Sequence, residues 1–273
     1  MIKRLLQRIL RNLGLYEWFK EETFAYDVYC YFKEGRPVTW RRRELRFYRS
    51  LVGNGPGQSL IFDVGANRGK KTDVFLKLGA RVVALEPDEA NLRILAGKYR
   101  RRLSERPVTI IGKAVSDSAG VETFWVTSPG AGLNTLSEKW VRTLRENPGK
   151  LGAEVEFPSR RNVETTTLAA LMESFGVPDY VKIDVEGHEP SVLRGLPRPV
   201  PVISFEVNLP EFKPEAAECV EILGRLSPNG RFNMTSCGTY SGFSLNEWHT
   251  GPEIVEILGS LGERTVEIYW KSG

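Results

Sequence analysis

The sequence predicts an α/β fold in which a mostly parallel sheet is covered on both faces by helices. Three observations carry this. Near-continuous apolar strands recur ("LIFDVG", "RVVALEP", "YVKIDV" and "PVISFEV"). Amphipathic helical segments alternate with them. A glycine-bearing turn follows the first strand, where such sheets bind ligands beyond the carboxyl ends of their strands.

The chain of 273 residues suits one large domain with an extension. Hydrophobic residues make up 41% and charged residues 26%, enough apolar surface for a core without staples. Three well-separated cysteines, Cys30, Cys219 and Cys237, form no CxxC pair and argue against a disulfide framework. With only His188 and His249 beside them, a structural zinc site is not expected. Residues 1–50 hold 12 Lys/Arg against 6 Asp/Glu, so with a net charge of +4 for the whole chain the rest sums to −2. The main body is therefore no general polyanion binder, and no nucleic-acid partner is expected.

Residues 1–52 read as a basic, aromatic-rich helical extension and residues 53–273 as the main domain, with "GNGPG" at 53–57 as the boundary. In residues 1–15, Ile2, Leu5, Leu6, Ile9, Leu10 and Leu13 fall at helical spacing among Lys3, Arg4, Arg8 and Arg11. The segment is too interrupted for a signal peptide or a membrane span. Two fates are open to it: packing on the domain, or peripheral contact with an anionic membrane. The expected location is the cytoplasm, with the inner membrane face as the site of any such contact.

Along the main domain, a helix through Val74, Phe75 and Leu78, ended by Gly79, follows the first strand. Strand 81–87 leads to a helix marked by Leu92, Leu95 and Tyr99, then to a third strand at 108–115. Residues 121–126 read as a short extra strand, and 127–163 as an irregular stretch with one helix from Ser137 to about Glu146. A helix at 166–176, capped by Thr166 or Thr167, precedes strand 180–185. Pro190 suits the start of the next helix. Strand 201–207, helices at 214–226 and 252–261 around a strand at 231–237, and a closing strand at 264–270 complete the pattern.

Chemistry gathers at the strand ends. "DVGANRG" places Asp63 at the end of the first strand, with Gly65 and Gly69 in the turn after it and Asn67 between, a residue tolerant of left-handed angles. Glu86 ends the second strand, 23 positions after Asp63, where an acid can accept hydrogen bonds from two ribose hydroxyls. NAD and S-adenosylmethionine (SAM) both fit a ribose acid there. The acid before the glycine turn favours SAM, since Asp63 can meet the amino end of a methionine moiety directly or through water. A dinucleotide site needs a diphosphate on a glycine-rich helix start, and "ANRGKKT" has one glycine there.

"FDVGANRG", "VVALEP", "AVSDSAG" and "YVKIDVEGHEPSVLRGL", in that order over roughly residues 58–208, resemble the FkbM family of SAM-dependent methyltransferases. The pairing of the first and last motifs is more specific than either alone. One departure is visible: Ala169 and Ala170 follow "TTL", where the family often carries acids. The resemblance implies a class I methyltransferase fold, a Rossmann-like seven-stranded sheet with an antiparallel last strand, here "RTVEIYW". It implies O-methylation of a hydroxyl on a sugar, glycolipid or polyketide-type natural product, so the expected partner is a small-molecule or glycan acceptor. Asp63, Gly65, Asn67 and Gly69 then match the cofactor loop, and Glu86 the ribose acid. The turn around Ala114 and Ser116 borders the adenine, and Asp184 closes the cofactor end.

Methyl transfer to a hydroxyl needs positioning and a base. His188 is a candidate base. A helix start disfavours its imidazolium, while Glu186 and Glu189 favour it. Asp184 and Glu206 end neighbouring strands and are candidates to orient the hydroxyl or to hold a divalent metal through oxygen. His188 as a turn buttress and Glu189 as a first-turn acid are the structural alternatives. The residues leave open a SAM- or glycan-binding scaffold without turnover, and an NAD-dependent oxidoreductase. A DNA amino-methylating enzyme is disfavoured, because Asp184-Val185-Glu186-Gly187 stands where Asn/Asp-Pro-Pro-aromatic would be required.

Overall fold

In chain order the elements are α1 (Trp40–Val52), β1 (Leu60–Val64), α2 (Lys70–Lys77), β2 (Arg81–Leu85), α3 (Glu89–Tyr99), β3 (Val108–Ile111), β4 (Ala114–Val115) and β5 (Gly120–Val126). Then come α4 (Glu138–Glu146), β6 (Ser159–Thr166), α5 (Leu168–Phe175), β7 (Tyr180–Ile183), α6 (Glu189–Arg194) and β8 (Val202–Leu209). The chain closes with α7 (Lys213–Leu226), β9 (Arg231–Ser236), α8 (Gly251–Ser260) and β10 (Arg264–Lys271). This computed structural model describes residues 39–53, 59–100, 108–152, 154–238, 240 and 242–273. The basic segment 1–15, the aromatics of 16–38 and most of the 53–57 turn lie outside the described residues. The chain divides into two compact units, Met1–Phe47 and Tyr48–Gly273. Of the first, only the start of α1 is described. Among the described residues no helix is long and apolar enough to cross a membrane.

The second unit is built on a seven-stranded sheet of order β3-β2-β1-β7-β8-β10-β9. The strands β3, β2, β1, β7 and β8 are parallel, and β10 runs antiparallel to both β8 and β9. This is the Rossmann-like class I methyltransferase arrangement, and the sequence "RTVEIYW" is its antiparallel strand. Because order reverses between β1 and β7, the ends of these two strands flank the crevice at the topological switch point.

Register gives the sheet two unlike faces. Phe62, Val181, Ile203, Trp270 and Phe232 are cross-strand partners in one row. All five belong to the main hydrophobic core. One residue along, with side chains on the other face, Asp63, Lys182, Ser204, Tyr269 and Asn233 form the next row. All five of these are also buried. Hydrogen bonds satisfy part of this polar row: Ser204 Oγ donates to Glu267 Oε1 at 2.8 Å and so accepts from Tyr180 at 2.6 Å. Tyr48, Phe75 and Tyr180 pack edge-on or tilted over it.

Helix boundaries follow local chemistry. Asp88 caps α3, Ser137 caps α4 and Thr167 caps α5, each accepting a backbone N–H. Thr250 and Glu253 form a capping box at α8.

Two expectations are corrected. The stretch 108–115 is not one strand. Gly112 and Lys113 break it, so β3 joins the main sheet and β4 a second sheet of order β4-β6-β5. The stretch 127–163 is not irregular throughout, because its last residues begin β6, which pairs antiparallel with β5 from Gly120↔Thr165 to Val126↔Ser159. The helix from Ser137 is present, with Ser137 as its cap.

The glycine turn fits against the β7 end with no room to spare. Gly65 has φ +81, and a Cβ there would stand 1.9 Å from the Asp184 carbonyl oxygen. Gly65→Ala is therefore expected to cost about 2–4 kcal/mol, read as a lowered urea midpoint with an unchanged m-value.

Candidate active site

A cleft of about 720 Å³, partly open to solvent, lies over the carboxyl ends of β1, β2 and β7. Its floor includes Gly65, Asn67, Glu86, Asp184, Val185 and Glu186. Lys113, just before β4, and Ala114 and Phe124 of the second sheet close one side, and Asn134, Thr135 and Leu136 roof it.

Glu86, just past β2, is one of its lining acids. Its Oε2 accepts the Asn67 N–H at 2.7 Å and its Oε1 the Asp88 N–H at 2.8 Å. Asn67 presents that N–H from a left-handed conformation, φ +50. Burial pushes the Glu86 carboxyl up to about 7, against the pull of these two hydrogen bonds. The Asn91 side chain is a third hydrogen-bond donor to this carboxylate, which leaves one acceptor position for a hydroxyl.

Five of the residues expected at a cofactor line the cleft: Gly65, Asn67, Glu86, Ala114 and Asp184. Three do not. Asp63 is fully buried beneath the turn, where its Oδ2 accepts from Thr72 Oγ1 at 2.6 Å and its Oδ1 has no partner. Gly69 caps α2, and its carbonyl accepts from Tyr99 Oη at 3.1 Å. Ser116 turns to His188, with 3.0 Å between Oγ and Nε2.

Three of the acids come together, but Glu206 does not end its strand as expected: β8 runs on to Leu209, and Glu206 lies within it opposite Glu267 of β10. One carboxylate oxygen each of Asp184, Glu186 and Glu206 lies within 4.8 Å of the others, a donor set able to bind a divalent cation through oxygen. Burial, then Asp184, pushes Glu206 up to about 8, and the same two causes raise Glu186. Cys237 Sγ donates to Glu206 Oε2 at 3.1 Å. Lys182 supplies the counter-charge, donating to Asp184 Oδ2 at 2.7 Å. Burial alone would lower the Lys182 pKa, but Asp184 and Asp63 beside it raise it well above its ordinary value.

His188 is not part of this cluster. It precedes α6, makes no side-chain cap, and faces Ser116 and, at 3.9 Å, Glu122. Burial lowers its pKa, opposed by Glu122 and Asp117. Glu189 bends back to accept the Val185 and Gly187 N–H groups, both at 3.2 Å. The tight turn between them holds Glu186 at φ +54. His249 pairs with Phe232 through the backbone and lies 3.7 Å from Glu253.

Sequence reasoning missed Glu186, Asn134 and Thr135 as cleft residues. Glu186 stood in the quoted motif, but only the turn's backbone shows which way it faces. Asn134 and Thr135 lie where no periodicity marks an element.

The Methyltransferase FkbM domain matches residues 63–239, which hold both the glycine turn and the acid cluster. The chain belongs to the FkbM methyltransferase family. No curated protein matches it significantly. Solved structures similar to this FkbM protein include a SAM-dependent methyltransferase from Agrobacterium tumefaciens, at 7% identity and TM-score 0.42 over 86% of this chain and 62% of that one. Others are a precorrin-6y C5,15-methyltransferase from Geobacter metallireducens (14%, TM-score 0.38, 87% and 89%) and an rRNA methylase from Streptococcus thermophilus (10%, TM-score 0.41, 84% and 93%).

The residues of this FkbM site fit SAM. Glu86 offers an acceptor position to a ribose hydroxyl, and the cleft runs from it to Asp184.

The Glu189 carboxyl is 4% exposed, and burial raises its pKa from the ordinary 4.5 to about 7. Its contribution to stability is fully present below pH 4.5 and is lost as pH rises through about 7. Glu189→Gln keeps an oxygen for both N–H groups and cannot ionise. Thermal melts are expected to show the variant gaining about 2–3 kcal/mol on the wild type between pH 4.5 and 8.

Proposed function

We propose that this FkbM protein transfers a methyl group from SAM to a hydroxyl of a sugar, glycolipid or polyketide-type acceptor. The observation that carries the reading is the meeting of a ribose-acid cleft, lined by Asp184 and Glu186, with the Glu206 carboxylate, which lines a smaller neighbouring pocket and lies within 4.8 Å of theirs. SAM, when bound, supplies a methyl group on a sulfonium. Glu86 accepts a ribose hydroxyl, and the turn through Gly65 and Asn67 seats the donor against β7. Asp184 and Glu186 orient the acceptor hydroxyl in line with the methyl group.

Glu206 would accept the proton that the acceptor hydroxyl loses on methylation. With a pKa pushed up to about 8, Glu206 is matched to proton transfer near neutral pH. In this proposal His188 buttresses the turn through Ser116 and takes no proton. The acceptor classes come from the sequence resemblance.

Isothermal titration with S-adenosylhomocysteine is expected to show binding by the wild type and at least tenfold weaker binding by Glu86→Ala. NADH is expected not to bind. With tritiated SAM and a panel of hydroxylated glycans and lipids, Glu206→Gln is expected to lower kcat by roughly 10²-fold or more, with donor affinity unchanged. His188→Ala keeping wild-type kcat supports the assignment, and a Glu206→Gln enzyme of full activity contradicts it.

A further inference from the structure

Asp88 lies two residues past the cleft acid and does not line the cleft. Its carboxylate is fully buried, and its two oxygens divide their work. Oδ1 accepts the Ala90 and Asn91 N–H groups at 2.8 and 3.3 Å, capping α3, and the Gly130 N–H at 3.1 Å. Oδ2 accepts Asn134 Nδ2 at 3.0 Å and Arg161 Nη2 at 2.7 Å. One side chain thus fastens α3, β6 and the segment Thr127–Ser137.

That segment is a strap over the cleft. Ala131, Gly132, Asn134, Thr135 and Leu136 all line it. At Thr135 the strap is joined to Trp125 of β5 by two backbone hydrogen bonds, at 2.7 and 3.0 Å, and it is tied again on each side. Arg68, in the glycine turn, donates to the Gly130 carbonyl at 3.3 Å. Thr135 Oγ1 donates to the Glu186 carbonyl at 2.9 Å. Gly130 sits close in, at φ +74, where a Cβ would stand only 3.0 Å from Asn91 Oδ1. Arg161, held by Asp88, places its guanidinium 5.7 Å from the ring centroid of Phe124, another wall of the cleft.

We infer that Asp88 is a positioning residue for the methyl donor: it holds the Thr127–Ser137 strap in place as the roof of the cleft without touching the donor itself. This rests on the reading of the cleft as a SAM site. The chemistry calls for a carboxylate. Asn91, Ala90 and Gly130 need one acceptor oxygen, and Asn134 and Arg161 need a second. An asparagine can keep the first and must present its NH₂ to the two donors at the second, leaving a guanidinium without its buried counter-charge.

The experiment is titration of S-adenosylhomocysteine into wild type, Asp88→Asn and Asp88→Ser, with hydrogen exchange of residues 127–137 and of β1, β2 and β7 in the ligand-free proteins. Asp88→Asn is expected to weaken binding at least tenfold and to speed strap exchange at least tenfold, with exchange of the three strands unchanged. Asp88→Ser keeps a capping oxygen and removes both Oδ2 bonds, and the same losses are expected of it. Asp88→Asn binding within twofold of wild type overturns the inference, as does a loss of protection spread equally over the strap and the strands. Wild type that fails to bind S-adenosylhomocysteine overturns the donor reading, and the inference with it.

Discussion

The structure turns on the ammonium of Lys182, buried on the polar face of the sheet against Asp184, with Asp63 on its other side in the same cross-strand row. Leaving one charge alone in such a place costs on the order of several kcal/mol. The positive charge lets Asp63 and Asp184 sit at adjacent strand ends of a buried sheet. Glu186 and Glu206 feel it too, although burial and Asp184 outweigh it. The apolar face does the opposite job. The row from Phe62 to Phe232 packs into the main core and holds the strands in the register on which the polar row depends.

From this register the active site follows by topology. The reversal of order between β1 and β7 opens the crevice. The glycine turn can reach the β7 end only without a side chain at Gly65. The seven-stranded sheet supplies the floor of the cleft and its acids. The second sheet and the strap supply a side wall and the roof. In the proposed reading donor recognition rests on two parts of the chain: a sheet covered on both faces, and a loop held by hydrogen bonds to Asp88, Arg68 and Glu186 and by a backbone bridge between Thr135 and Trp125.

Much of this was legible in the sequence. Strands β1, β2, β7, β8 and β10 announce themselves as runs rich in apolar residues, because both faces of the sheet are covered and few of their positions meet water. Asp63, Glu86 and Asp184 were legible because each stands at the end of such a run, and Glu206 because it interrupts one. The second sheet was not. In "SRRNVETT" only Val163 and Thr165 are buried, so β6 shows no apolar pattern. The break at Gly112 was hidden because β3 and β4 are both β-prone and are joined by two residues. His188 drew attention by residue type, yet its partners Ser116 and Glu122 lie on β4–β5, more than 60 residues away in the chain, and no local pattern reports that contact. Glu186 depends on a left-handed turn set by Glu189, a backbone fact that residue types do not reveal.

The central claim is that one cleft holds the donor between Glu86 and the Asp184–Glu186–Glu206 cluster. A crystal structure of the protein with S-adenosylhomocysteine tests it most directly. The account predicts a ribose hydroxyl within hydrogen-bond distance of Glu86, the sulfur beside Asp184 and facing the three carboxylates, and His188 still against Ser116. A ligand bound elsewhere, or a sulfur facing the His188 imidazole with the carboxylates turned away, would contradict it.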